Sequence, residues 1–185
     1  MSYQNNQENV LAELHATLGN ISADEVERLI EMIEAAENVF FVGVGRVLLS
    51  LQAMAKRLAH LGIKTYVVGQ ITEPAITERD LLIVGSGSGE SMFPLGIARK
   101  AKSFHASVVH IGANPESSMK AYSDHFVRIG VKTKLNLPSE IPSIQPMTSL
   151  FEQSLLLLGD IVALELIGKR KINMHELWQF HANLE

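Results

Sequence analysis

Leu81-Leu82-Ile83-Val84-Gly85-Ser86-Gly87-Ser88-Gly89-Glu90-Ser91 decides the fold. Its first four residues are continuously apolar, too short for a helix and without alternation. They read as a strand buried on both faces. Helical spacing resumes from Met92 to Phe104. The same order occurs upstream, where Val39-Phe40-Phe41-Val42 runs into Gly43-Val44-Gly45-Arg46 and a helical stretch spans Leu48 to Leu61, closed by Gly62. Thr65-Tyr66-Val67-Val68, Val108-Val109-His110-Ile111 and, more weakly, His125-Phe126-Val127-Arg128-Ile129 supply three further strands. Strands alternating with helices of this length predict βαβ units with right-handed crossovers. The expected fold is α/β, a three-layer αβα sandwich around a five-stranded parallel sheet.

Flanking this core are helices. Val10, Leu11, Leu14 and Leu18 fall near helical spacing, and Gly19-Asn20 ends the run. Ser22 followed by Glu25 reads as a capping box, before a stripe of Val26, Leu29, Ile30 and Ile33. Gly130 to Pro146 holds three prolines and reads as a loop. From Met147 to about Leu166 a helix is apolar almost all round, which requires cover on several sides. In so small a chain the expected cover is a neighbouring subunit. The expected organisation is one domain over 1–185, with a helical segment at 1–37, the sheet core at 38–130, and a long helix and tail at 146–185.

At 185 residues a chain buries about 70% of its unfolded surface without staples. Sixteen basic residues against twenty acidic leave a net charge of −4, which argues against a nucleic-acid binder. With no cysteine, disulfide scaffolds, thiolate zinc sites and cysteine nucleophiles are excluded. The polar N-terminus lacks the features of a signal peptide, and the apolar runs fall well short of the ~18 residues of a membrane helix. A cytoplasmic protein without a membrane partner is expected.

Ligands of open α/β sheets sit beyond the carboxyl ends of the strands, where both glycine-rich loops fall. Gly43-Val44-Gly45-Arg46 fails the dinucleotide fingerprint because Leu48 stands where the third glycine belongs. The loop at 85–91 lacks the Gly-Lys-Ser/Thr of a nucleotide P-loop. It offers three glycines, three hydroxyls and a helix start, which suit a phosphate bound without a metal. Ser86, Ser88 and Ser91 are the expected donors. His15, His105, His110, His125 and His175 show no metal-ligand spacing, so no metal site is expected.

Gly85 to Ser91 resembles the phosphate-binding loop of the sugar isomerase (SIS) domain family. Gly43-Val44-Gly45-Arg46 and Arg57-Leu58-Ala59-His60-Leu61-Gly62 are similar to the first loop and helix of its 6-phospho-3-hexuloisomerase branch. So are Gln145-Pro146-Met147-Thr148-Ser149-Leu150-Phe151-Glu152-Gln153 and His181-Ala182-Asn183-Leu184-Glu185. The branch usually carries a serine after its loop arginine, where this chain has Val47. The resemblance implies a flavodoxin-type doubly wound sheet. It also implies cofactor-free interconversion of D-arabino-3-hexulose 6-phosphate and fructose 6-phosphate through an enediolate, in formaldehyde assimilation by the ribulose monophosphate pathway. A homotetramer with sites at subunit contacts is implied as well. A different phosphosugar isomerase, or a non-catalytic sugar-phosphate sensor, are the alternatives.

The isomerisation needs a base at carbon 2, a group to return a proton at carbon 3, and oxyanion stabilisation. The resemblance casts Glu152 as base, His181 as proton shuttle and His60 as a further catalytic candidate. Gly45, Arg46, Ser86, Gly87, Ser88, Gly89, Glu90 and Ser91 become the substrate and phosphate contacts. From the residues alone, Glu152 reads first as a helix-start carboxylate and His181 as an exposed tail histidine, His60 is at least as much a packed or interface histidine, and Arg46 is equally a surface ion-pair partner. Trp178 and Phe180 are expected to anchor the tail by packing.

Overall fold

In the computed structural model, residues 2–138 and 140–184 are described; the last residue of the terminal motif, Glu185, lies outside them. Helix α1 (Tyr3–Gly19) is capped by Ser2, and α2 (Ala23–Ala35) by Ser22, whose hydroxyl accepts from the Glu25 N–H. The reciprocal half of the capping box does not form. Glu25 instead accepts the Arg128 N–H at 2.7 Å and ties α2 to the sheet edge.

The strands are β1 (Val39–Val42), β2 (Thr65–Val67), β3 (Leu81–Gly85), β4 (Ser107–Gly112) and β5 (His125–Arg128). All neighbours pair in parallel, in the order β2-β1-β3-β4-β5. Continuous apolar runs arise in β1, β3 and β4 because each of these central strands is covered on both sides. Phe41 and Ile83 face one core with Leu29, Leu51 and Phe151, while Phe40, Leu82 and Val84 face the other with Ala98 and Met119. Helices α1, α2, α3 (Gly45–Ala59) and α5 (Ser149–Arg170) belong to the first side. On the second stand α4 (Met92–Lys102) and a 3₁₀ turn at Ser118–Tyr122. The β2–β3 connection carries no helix.

Three boundaries differ from expectation. Helix α3 starts at Gly45, not Leu48, because Gly45 adopts φ +57° and turns the chain directly from strand to helix. Met147 lies outside α5, and the helix continues to Arg170, where Lys171 takes the left-handed C-cap conformation. The tail returns onto its own chain through a 3₁₀ turn at Met174–Phe180. The Phe180 ring lies against Gly62, where a Cβ would meet its Cζ at 3.1 Å.

Helix α5 buries Phe151, Leu155, Leu158, Val162 and Leu166, but Leu156, Ile161 and Leu164 are 39%, 38% and 60% exposed. Its all-round apolar sequence thus exceeds what one chain covers. Among the described residues no helix is long and apolar enough to cross a membrane.

Candidate active site

The strand order reverses between β1 and β3, so the crevice beyond their carboxyl ends is the topological switch point. Val42 pairs with Val84 there, and both glycine-rich loops leave side by side. Val47, in the first turn of α3, packs on the second loop. Its Cγ1 lies 2.8 Å from where a Cβ on Gly85 would stand.

Within the second loop the hydroxyls organise the backbone. Ser86 Oγ accepts the Gly89 N–H at 3.1 Å and Ser88 Oγ accepts the Glu90 N–H at 3.3 Å. Each hydroxyl keeps its own proton to donate. Gly89 takes φ +68°, and a Cβ there would lie 2.1 Å from Ser117 Oγ. Ser91 stands at the N-cap of α4 without a capping bond, and Val44 offers none to α3. Two helix N-termini therefore open on this crevice without side-chain caps. The Glu90 carboxylate accepts the Ser118 N–H at 2.7 Å, which holds it below the usual carboxylate range. Glu90 braces the loop against the 3₁₀ turn.

The first turn of helix α5 lies beside this loop, since Phe151, next to Glu152, sits against Gly87 with its ring 3.7 Å from a Cβ built there. The Glu152 carboxylate accepts from Arg46 Nε on one oxygen and from Thr148 Oγ1, at 2.9 Å, on the other. Ser50 Oγ donates to the Glu152 carbonyl at 2.7 Å, tying the second turn of α3 to the first turn of α5. The Glu152 side chain is 9% exposed and that of Arg46 64%. A buried carboxylate is thus paired with a cation free to extend into solvent. Arg46, Leu49, Ser50, Glu152, Gln153 and Leu156 line a groove of about 180 Å³. A larger concavity of about 860 Å³ lies elsewhere, between α1–α2 and α5, walled by apolar residues including Ile21, Val26, Ile161 and Leu164.

Of the expected site residues, the structure gathers Gly45, Arg46, the 86–91 loop and Glu152. His60 and His181 also meet, stacked with ring centroids 5.2 Å apart, but His60 is the C-cap of α3. Arg46 opens that helix, and at 1.5 Å rise per residue the two ends are about 20 Å apart. The acid–base candidates therefore form two separate pairs. Thr148 and Ser50 were missed. Their signal was helical spacing, four residues before Glu152 and four after Arg46.

A glycine-serine loop at the switch point of a parallel α/β sheet, with a carboxylate–guanidinium pair on the neighbouring helices, is the setting in which the SIS domain family model matches residues 32–159. The chain belongs to the SIS domain family. It is 40% identical over 176 residues to a Bacillus subtilis protein named 3-hexulose-6-phosphate isomerase, covering 95% of each chain. A Mycobacterium gastri protein of the same name is 36% identical, with 98% of this chain and 90% of the relative covered. A crystal structure from Methanococcus jannaschii, described as inferring a 3-hexulose-6-phosphate isomerase function, superposes with a TM-score of 0.84 at 28% identity. It covers 98% of this chain and 99% of that one.

Proposed function

We propose that this chain interconverts D-arabino-3-hexulose 6-phosphate and fructose 6-phosphate. The observation that carries the reading is the buried Glu152 carboxylate, held by Arg46 and Thr148 beside a glycine-serine loop at the sheet's switch point. The loop hydroxyls and helix N-termini take the phosphate. Glu152 removes the proton from carbon 2, giving an enediolate, and a proton returns at carbon 3 as the carbonyl moves to carbon 2. Arg46, exposed and close, stabilises the developing oxyanion. No step in this route calls for a cofactor or metal.

The hydroxyl proton shuttle is assigned to His181, with His60, from a neighbouring subunit. Three observations support this. The histidine pair lies at the far end of α3 from its own Glu152. A groove of about 180 Å³ is small against the roughly 300–1,000 Å³ of small-molecule sites. Leu49 and Leu156 line it while 62% and 39% exposed. The reading extends to a cytoplasmic homotetramer serving the ribulose monophosphate pathway.

A coupled assay supplying 3-hexulose 6-phosphate and reading fructose 6-phosphate tests this. Turnover is the expected result. Binding of fructose 6-phosphate without turnover would make the chain a sugar-phosphate sensor instead.

A further inference from the structure

β4 carries one ionisable side chain in an apolar run, His110, only 1% exposed. Its ring packs on Phe126 with centroids 5.0 Å apart. Nε2 lies 2.9 Å from the Ser86 carbonyl oxygen. A carbonyl only accepts, so Nε2 carries the proton and donates it. The imidazole forms the floor of the 86–91 loop: a Cβ on Gly112 would lie 2.4 Å from Nε2, and one on Gly89 3.1 Å from Cε1. Ser117, buried, closes the floor beside it. Burial pushes the imidazole's pKa down to about 4, against the opposing effect of its bond to Ser86, so the floor is neutral near pH 7.

The Ser86 carbonyl also accepts the Gly89 N–H at 3.1 Å, so two donors hold it beneath the loop. In a trans peptide the C=O and the next N–H point in opposite directions. Fixing the Ser86 oxygen downward therefore turns the Gly87 N–H away from the floor, to the face where an anion would lie.

We propose that His110 is a positioning residue for phosphate binding, its Nε2–H anchoring the Ser86 carbonyl so that the Gly87 N–H is presented to the anion. This rests on the loop being the phosphate site. The mechanism above makes no use of His110, and its place in an apolar strand gives no sequence signal for the role.

The test is calorimetric titration of inorganic phosphate and fructose 6-phosphate into the parent, His110→Gln, His110→Asn, His110→Leu and, as reference, Ser88→Ala, with melting curves for each. The Gln amide nitrogen reaches the position of Nε2, whereas the Asn amide stops short and Leu has no donor. His110→Gln is expected to bind within about twofold of the parent, and His110→Asn and His110→Leu about five- to tenfold more weakly. In turnover, KM should rise in the weakened variants with kcat unchanged. Parent-like binding by folded His110→Asn or His110→Leu, or equal loss in the Gln and Asn variants, overturns the proposal while the Ser88→Ala loss keeps the loop reading. No loss in Ser88→Ala, or no binding by the parent, overturns both.

Discussion

His181 stacks on His60 with ring centroids 5.2 Å and planes 23° apart, and Trp178 leans on the same imidazole from 5.1 Å. This joins the tail to the C-terminal end of α3, while Arg46 and Glu152 meet at its N-terminal end. One helix thus separates the two halves of the proposed acid–base machinery within a chain. In the proposed tetramer a neighbouring copy would bring its own histidine pair to that carboxylate.

Glu152→Gln keeps the shape of the side chain and can still accept from Arg46 through its amide oxygen. With the oxygen on the Arg46 side, the amide NH2 takes the other position and donates to Thr148 Oγ1, and the amide cannot take a proton. Turnover should fall by about 10²–10⁴-fold, with phosphate affinity and melting temperature near the parent's. Near-parent turnover removes Glu152 from the role of base.

Ser88→Ala deletes a hydroxyl that both organises the loop and keeps a proton to donate. Hydrogen bonds to a charged acceptor contribute about 1.5–3 kcal/mol, so inorganic phosphate should bind at least tenfold more weakly by calorimetry. Unchanged affinity places the anion elsewhere.

Gly89→Ala meets two obstacles, the left-handed φ of +68° and Ser117 Oγ, 2.1 Å from the new Cβ. The conformational cost alone is about 1–2 kcal/mol. Both stability and phosphate affinity should drop. Adding Ser117→Gly should recover only the part due to the clash, which separates the two contributions in chemical denaturation.

Acid should destabilise the fold through His110. Above pH 6.5 the imidazole is neutral folded and unfolded. Between pH 6.5 and about 4 the unfolded chain takes a proton that the buried ring refuses. Stability is therefore full above pH 6.5 and falls as pH drops toward 4, by about 3 kcal/mol in all. Urea unfolding at pH 7 and pH 4.5 should show a smaller loss for His110→Gln than for the parent. Equal losses contradict this source of acid sensitivity.

The sheet was legible because burial on both faces writes each central strand as an unbroken apolar run, as in Leu81 to Val84. The loop at 85–91 was legible as a strand-to-helix turn because glycines and serines there follow an apolar run and precede helical spacing. Glu152 was visible as the charged residue in the first turn of an apolar helix. The return of the tail was hidden. It depends on Phe180 finding Gly62, a contact between distant residues with no periodicity to announce it. The start of α3 at Gly45 was obscured because a positive φ, not an apolar pattern, sets it. Glu25 was misread for a similar reason: a local capping partner lost to the more distant Arg128 N–H.

The central claim is that one chain's Glu152 works with another chain's His181. Co-refolding of Glu152→Gln and His181→Ala chains, each inactive alone, tests it in the coupled fructose 6-phosphate assay. Hybrids contain some sites with both parent residues, so the account predicts that a fraction of activity returns. Verified, folded hybrids that stay inactive would contradict it.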